Sequence, residues 1–347
     1  MSDRPQRKVF NRWDVLANGW YAVARADTLR GPTAVYVGGH KLVLWRGVDG
    51  AARAVDGWCP HLGTGLEIGA VHGDDLRCFF HHWTFDGGGR CVRIPAQAAV
   101  PDRAHTRGWP VAERYGLIWV WPDTSAPYGV PDFPGLEGQE VVWQHGPTLE
   151  RACHPHVCMI NGLDVQHLAT VHGLRLDVEV TMDERPELGV LDIRLAGQPP
   201  TDSLAGRLSH AALGGHYAYS MRYQGGTMGL LTTVEQTRLF GRVALPEVRM
   251  LFAYLPTPRG TTRVWPVFIA PRGASLPGRA VSAALLATMR AGYAVLRDAD
   301  ALIYDHIRFQ THNLLGIDAP LGRFFRWVDQ LEPSGWTPPP PPIGAHE

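Results

Sequence analysis

Two short segments constrain this 347-residue chain more than any other feature: Cys59-Pro60-His61 and Cys78-Phe79-Phe80-His81. They read C-x-H, sixteen intervening residues, then C-x-x-H. Each segment gives one thiolate and one imidazole, so two short loops can grip one object from opposite sides. Leu62-Gly63 follows the first loop, Trp83 follows the second, and Gly87 to Gly89 make a tight turn nearby. Composition agrees with a search for metals, because the chain has 16 histidines but only five cysteines. An odd and sparse cysteine set argues against a disulfide scaffold and fits a reducing cytoplasm.

Two chemistries compete for such a set. One tetrahedral zinc would take all four ligands, and zinc modules generally pair like with like in each knuckle. A [2Fe–2S] centre of the Rieske type puts two cysteines on one iron and two histidines on the other. The mixed loops favour the second. His82 directly follows His81; the C-x-x-H count selects His81 as ligand and leaves His82 as its neighbour. Cys91, Cys153 and Cys158 lack matching partners and read as packed thiols.

The surrounding sequence supplies a scaffold. Trp20–Ala24, Ala34–Val37, Lys41–Trp45, Cys91–Pro95 and Gly116–Pro122 are short runs rich in β-branched or aromatic residues, punctuated by Gly, Pro and Asp. They predict a small all-β domain, placed at residues 18–123. A Pro- and Gly-rich junction over 123–146 opens a second domain, 124–336. There, helical rhythm runs from His156 to His172, strands return over about 190–270, and a long helix is expected from Val281 to about Phe309. Five consecutive prolines predict an extended tail at 337–347. The fold class is therefore α+β: an all-β domain, then an antiparallel sheet covered by helices.

Charge excludes several roles. Lys plus Arg and Asp plus Glu each total 33, which leaves no general footprint for nucleic acid or an anionic membrane. With 45% hydrophobic and 19% charged residues, a large core can form. No apolar run reaches membrane-spanning length, and the basic start lacks the apolar region of a secretory signal.

A second constellation lies in Asn161 to His172, which carries D-x-x-H-x₄-H as Asp164, His167 and His172. On one helix, Asp164 and His167 would share a face, while His172 would fall about 140° from His167. Gly173 places His172 at or just past a helix end. Two histidines plus a carboxylate make the facial triad of non-heme Fe(II) oxygen enzymes. The late helix offers Asp298, Asp300 and Asp305. Asn161 is open to either of two roles, supporting the ligands or capping the helix.

With both constellations in place, the chain resembles the Rieske non-heme iron oxygenases from Trp20 to about Gln330, closest in pattern to ketosteroid-hydroxylase-like and oxidative-cyclase-like members. Thr64 and Phe80 stand where high-potential Rieske proteins carry a further cysteine pair, so the cluster is similar to the low-potential kind that feeds oxygenases. The family pattern has Gly where this chain has His82. Ketosteroid-hydroxylase-like members carry D-x-x-I-W in the late helix, which Asp300-Ala301-Leu302-Ile303-Tyr304 follows except that Tyr304 replaces the Trp, and this ranks Asp300 before Asp298 and Asp305. The resemblance implies a Rieske domain followed by a helix-grip-like catalytic domain, a cluster on Cys59, His61, Cys78 and His81, and Fe(II) on His167, His172 and Asp300. It also implies a head-to-tail homotrimer in which Asp164 couples the cluster of one subunit to the iron of the next.

O₂ would be the co-substrate. Since the chain shows no nucleotide fingerprint, NAD(P)H would act only through a separate ferredoxin or flavin reductase. Tyr217, Tyr219, Met221, Met228, Phe252, Tyr254 and Phe268 alternate with small residues and suggest core packing plus an apolar cavity. No cluster of arginines marks an acidic substrate, so an apolar small molecule is expected, to be hydroxylated or oxidatively cyclised. The alternatives are an aromatic-ring cis-dihydroxylating dioxygenase, a Rieske electron carrier needing no triad, and a zinc-stabilised binding module.

Overall fold

The computed structural model describes residues 8–172, 177–199, 201–202, 204–235 and 237–336. The expected Pro-rich tail at 337–347 and Gly173 lie outside them. The chain forms two compact units. One comprises Trp13–Pro131, Leu255–Gly260 and the residues from Pro333; the other comprises the residues up to Arg12, Asp132–Tyr254 and Thr261–Glu332.

The first unit is built from short antiparallel strands. Thr33–Val37, His40–Arg46, Ala52–Asp56 and Gly108–Trp109 make one sheet, and Tyr21–Arg25, Leu117–Val120 and Val111–Arg114 another. A third sheet of very short strands, Ala70–His72, Asp75–Arg77, Thr84–Phe85 and Cys91–Arg93, carries the Cys78–His81 loop between its second and third strands. Its glycine turn is held by Asp86, whose Oδ1 accepts from the amides of Gly88 and Arg90 at 2.9 Å. Gly89 has φ +82°, and a Cβ there would lie 2.4 Å from the Thr106 carbonyl oxygen, so no other residue fits. Val43, Trp45, Val55, Leu66, Leu76 and Phe85 form the core into which Cys59 and Cys78 are set.

The second unit is an antiparallel sheet. Its strand order is Val141–His145, Thr262–Pro271, Val248–Pro256, Met228–Thr233, Tyr217–Gln224, Val190–Gln198, Asp177–Arg185, with Leu149–Arg151 also paired to Thr262–Pro271. Among the described residues five α-helices accompany it: α1 (Pro155–Ile160), α2 (Val165–Thr170), α3 (Leu204–Ala212), α4 (Leu276–His306) and α5 (Ala319–Gln330). α4 lays Leu286 and Met289 on Met250, Phe268 and Ala270 of the sheet.

Local chemistry explains where these helices depart from the sequence expectation. The rhythm from His156 to His172 is two helices, not one. Asp164 adopts extended backbone (φ −85°, ψ 100°) and its carboxylate accepts from the amides of Gln166 and His167, making it the N-cap of α2. Gly162 sits in the break because a Cβ there would lie 2.5 Å from the Tyr223 hydroxyl. α4 starts at Leu276, ahead of the expected Val281. Ser275 caps it, and Pro277 falls in the first turn, where a missing N–H costs nothing. α3 interrupts the stretch read as strands.

Candidate metal centres

In the first unit, loop backbone fixes the four cluster-type side chains. The Cys59 amide donates to the Thr64 carbonyl and the Cys78 amide to the Trp83 carbonyl, both at 2.8 Å, while the Gly63 amide returns to the Cys59 carbonyl. The two cysteines are buried in the same core. Burial, with the neighbouring Cys78 adding to it, pushes the Cys59 thiol up to about 12. Two thiolates would persist there only with a cation between them.

The histidines lie outside this sulfur pair. His61 Nδ1 faces His81 Nδ1 at 3.1 Å, and the His61 ring stacks on Trp83 with centroids 4.6 Å apart. Thus His81, not His82, is the ring brought to His61. His82 has φ +55°, a left-handed backbone that costs a side chain and suits the glycine of the family pattern. The inner sulfur pair and outer nitrogen pair suit a [2Fe–2S] group with unlike ends, and the donors present fit it. All five cysteines are free, Thr64 and Phe80 offering no further pair. Trp58, Leu62, Phe79 and Phe80 are 54–66% exposed and form an apolar rim on these loops.

In the second unit, His167, His172 and Asp300 meet although 128 residues separate the last two (300 − 172). Nε2 of each histidine lies 3.0 Å from Asp300 Oδ1. The imidazoles are nearly perpendicular, with centroids 4.6 Å apart. His167 comes from α2, His172 from just past its C-cap, and Asp300 from α4. One carboxylate and two imidazoles converging on one point, both histidine side chains at most 8% exposed, fit a single divalent ion. The other two acids turn elsewhere: Asp298 is 72% exposed and bonded to Arg297, and Asp305 faces Arg151. Asp164 bonds the His167 amide instead of its ring, whose Nδ1 is buried. Asn161 is the C-cap of α1 and lines the cavity beside the triad.

That cavity encloses about 470 Å³. Tyr217, Tyr219, Met221, Phe252 and Tyr254 line it, whereas Met228 and Phe268 are core residues. Burial pushes the Tyr219, Tyr254 and Tyr304 phenols well up, so they stay neutral hydrogen-bonding groups. Tyr219 donates to the Gly162 carbonyl and Tyr304 to the Cys158 carbonyl, tying the sheet and α4 to the α1–α2 segment. Sequence reasoning missed Arg151, Cys158, Met289 and Tyr293 on the wall. Helical spacing back from Asp300 reaches Tyr293, but nothing local in the sequence points to Arg151.

Comparison with known proteins decides the nature of the first unit: residues 19–104 match the model of the Rieske [2Fe-2S] domain. The chain carries a Rieske domain. Over part of its length the chain is also similar to proteins named as oxygenases and as a desaturase. It is 36% identical over 165 residues to cholesterol 7-desaturase nvd of Bombyx mori, covering 46% of this chain and 36% of that one. It is 33% identical over 166 residues to the oxygenase component of 3-ketosteroid-9-alpha-monooxygenase of Rhodococcus rhodochrous (45% and 41%). Aminopyrrolnitrin oxygenase PrnD of Pseudomonas fluorescens is 32% identical over 198 residues (52% and 54%). The matches thus span about a third to a half of these relatives. The fold extends further: NdmB of Pseudomonas putida CBB5 superposes with TM-score 0.68 at 18% identity, covering 89% of each chain. Dicamba monooxygenase does so with TM-score 0.60 at 22% identity, covering 91% of this chain and 98% of its own. No helix of the described residues is long and apolar enough to cross a membrane.

Proposed function

We propose that the chain is the terminal oxygenase of a multicomponent system, using O₂ and externally supplied electrons to hydroxylate or oxidatively cyclise an apolar small molecule. The observation that carries this reading is the His167–His172–Asp300 convergence on the wall of a largely apolar cavity, in a chain that also has a Rieske domain. An electron carrier needs no such triad. Relatives named for steroid desaturation, steroid monooxygenation and aminopyrrolnitrin oxygenation support oxidation of an apolar skeleton.

In this reading Cys59 and Cys78 hold one iron of the cluster and His61 and His81 the other. His167, His172 and Asp300 hold Fe(II). When bound, the two centres supply single electrons and open positions for dioxygen. The chain's own residues do the rest. Tyr219 and Tyr304 brace the ligand-bearing segments, and the cavity wall excludes water and orients the substrate. A ferredoxin or flavin reductase delivers electrons from NAD(P)H, and the exposed rim of Trp58, Leu62, Phe79 and Phe80 suits contact with another protein surface. We assign the five free thiols to a reducing cytoplasm.

Asp164 joins the two centres across neighbouring subunits of a homotrimer: one carboxylate oxygen caps α2 and the other serves the neighbour's histidine. Asp164→Asn keeps the cap, because Asn caps as well as Asp, and removes the charge. It should slow single-turnover electron transfer; a wild-type rate would contradict the bridge.

The function is tested by reducing the protein chemically and mixing it with ¹⁸O₂ and a panel of sterols and aromatic N-heterocycles. Substrate-dependent reoxidation of the cluster with labelled or ring-closed product is expected, and Asp300→Ala should abolish product while keeping a reducible cluster. A cluster that reoxidises at one rate with every compound, with no product, contradicts an oxygenase.

A further inference from the structure

Several poorly exposed or half-buried arginines of the catalytic unit have close carboxylate partners. Arg194 reaches Glu235 at 2.7 Å, Arg222 reaches Asp192 at 2.6 Å, and Arg323 reaches Glu184 at 2.5 Å. Arg151 does not. Its side chain is 12% exposed, yet its ion pair to Asp305 is 3.7 Å long and that carboxylate is 44% exposed. Its hydrogen bond to the Glu150 carbonyl is also long, at 3.4 Å. Arg272 has an equally loose pair with Glu140, but both side chains are substantially exposed at 47% and 82%. Arg297, the other arginine on the cavity wall, is held by Asp298 at 2.7 Å.

Arg151 stands at the end of the strand Leu149–Arg151, paired with Thr262, and lines the cavity that contains the triad. Burial raises the Tyr293 phenol; Arg151 and Arg297 counteract that shift, while Asp300 adds to it. Arg151, Tyr293 and Asp300 line the same cavity wall. Asp305 lies five residues past Asp300 on α4, a rise of roughly 7–8 Å. A guanidinium with a fixed fork of five donors, on an apolar wall and loosely paired, calls for an oxygen anion.

We infer that Arg151 anchors a carboxylate on an otherwise apolar substrate, orienting its skeleton toward His167, His172 and Asp300. This deepens the oxygenase reading and rests on it for the word substrate. The cavity of about 470 Å³ suits a body of two to three fused rings.

The test compares naphthoate with naphthamide, which share a skeleton and differ in charge. Binding is measured anaerobically to the metal-loaded protein by NMR line broadening, without turnover. Naphthoate should bind about tenfold or more tightly than naphthamide, the range of a charged hydrogen-bonded contact. Arg151→Gln should erase the preference, Arg151→Lys should keep part of it, and Arg297→Gln should retain most of it. Circular dichroism and iron content establish that each variant is folded. Equal affinities in the wild type, no binding of either compound, or a preference that survives Arg151→Gln would overturn the inference. The wild-type comparison decides even where Arg151→Gln does not fold. Labelled product with no carboxylate preference sinks this inference alone; a preference without oxygenation sinks the catalytic reading and leaves Arg151 as a binding residue.

Discussion

The two candidate centres are assembled by opposite strategies. The cluster-type residues come from two loops within one 23-residue stretch (59 to 81), held by hydrogen bonds within the loops and between adjacent short strands. The triad joins a short capped helix to the C-terminal part of α4, and its geometry exists only once the sheet has brought the two together. The first site is a local device with exposed histidines; the second is buried and depends on long-range packing. Damage to a ligand should therefore stay local at the first and report on fold at the second.

The largest expected effect tests that contrast from the triad side. His167→Ala should weaken iron binding by more than ~100-fold, beyond the 10–100-fold typical of changes outside the ligand shell. The Rieske spectrum should remain. Loss of both signals would show that the two sites are not independently built. Cys59→Ser gives the reciprocal experiment: the cluster should be lost, while Fe(II) titrated into the protein still occupies the triad, as read by isothermal calorimetry.

Acid should separate the units next. His154 and His156 are buried in the catalytic unit, where burial lowers His154 to about 3 and His156 well below its usual value, the adjacent His154 charge contributing to the latter. His156 accepts from the Asn11 amide and His154 meets the Arg12 carbonyl, so the two rings hold the N-terminal residues Asn11 and Arg12. Both imidazoles are neutral when folded but take up protons near 6.5 when unfolded. Their stabilisation is full above that pH and falls as pH drops toward about 3, by up to ~1.4 kcal/mol per pH unit for each. Every described histidine of the other unit is at least partly exposed. Thermal melts should show the catalytic unit losing stability below about pH 6.5, and His156→Gln should flatten that slope.

The local and long-range difference also governs what was legible in the sequence. The four cluster-type residues could be picked out because their spacing sets their geometry, and the longer strands of the first unit were legible, whereas short ones such as Ala70–His72 and Gly108–Trp109 were not. Asp300 could be ranked through the D-x-x-I pattern, but its meeting with His167 is a product of α4 packing on the sheet. The break before Asp164 was hidden because helical rhythm persists through it; it shows in the extended Asp164 cap and in the close approach of Tyr223, which leaves no room for a side chain at Gly162. The membership of Phe10 in the catalytic unit was hidden for the same kind of reason, since its ring lies 4.2 Å from Phe325, far along the chain. Arg151 is visible only as a charge left loosely paired on a cavity wall.

The smallest effect concerns His82. Its φ of +55° should make His82→Gly stabilising by about 0.5–1 kcal/mol, partly offset by the greater freedom of glycine in the unfolded chain. Denaturant unfolding of the Rieske unit measures it, with the cluster spectrum unchanged because His81 remains.

The most direct measurement is a count of iron and acid-labile sulfide on anaerobically reconstituted protein, resolved by Mössbauer spectroscopy. Three irons and two sulfides per chain are expected, one iron being a separate ferrous site that His167→Ala removes. Two irons with two sulfides, unchanged by His167→Ala, or a colourless protein filled with zinc, would contradict the two-centre catalyst.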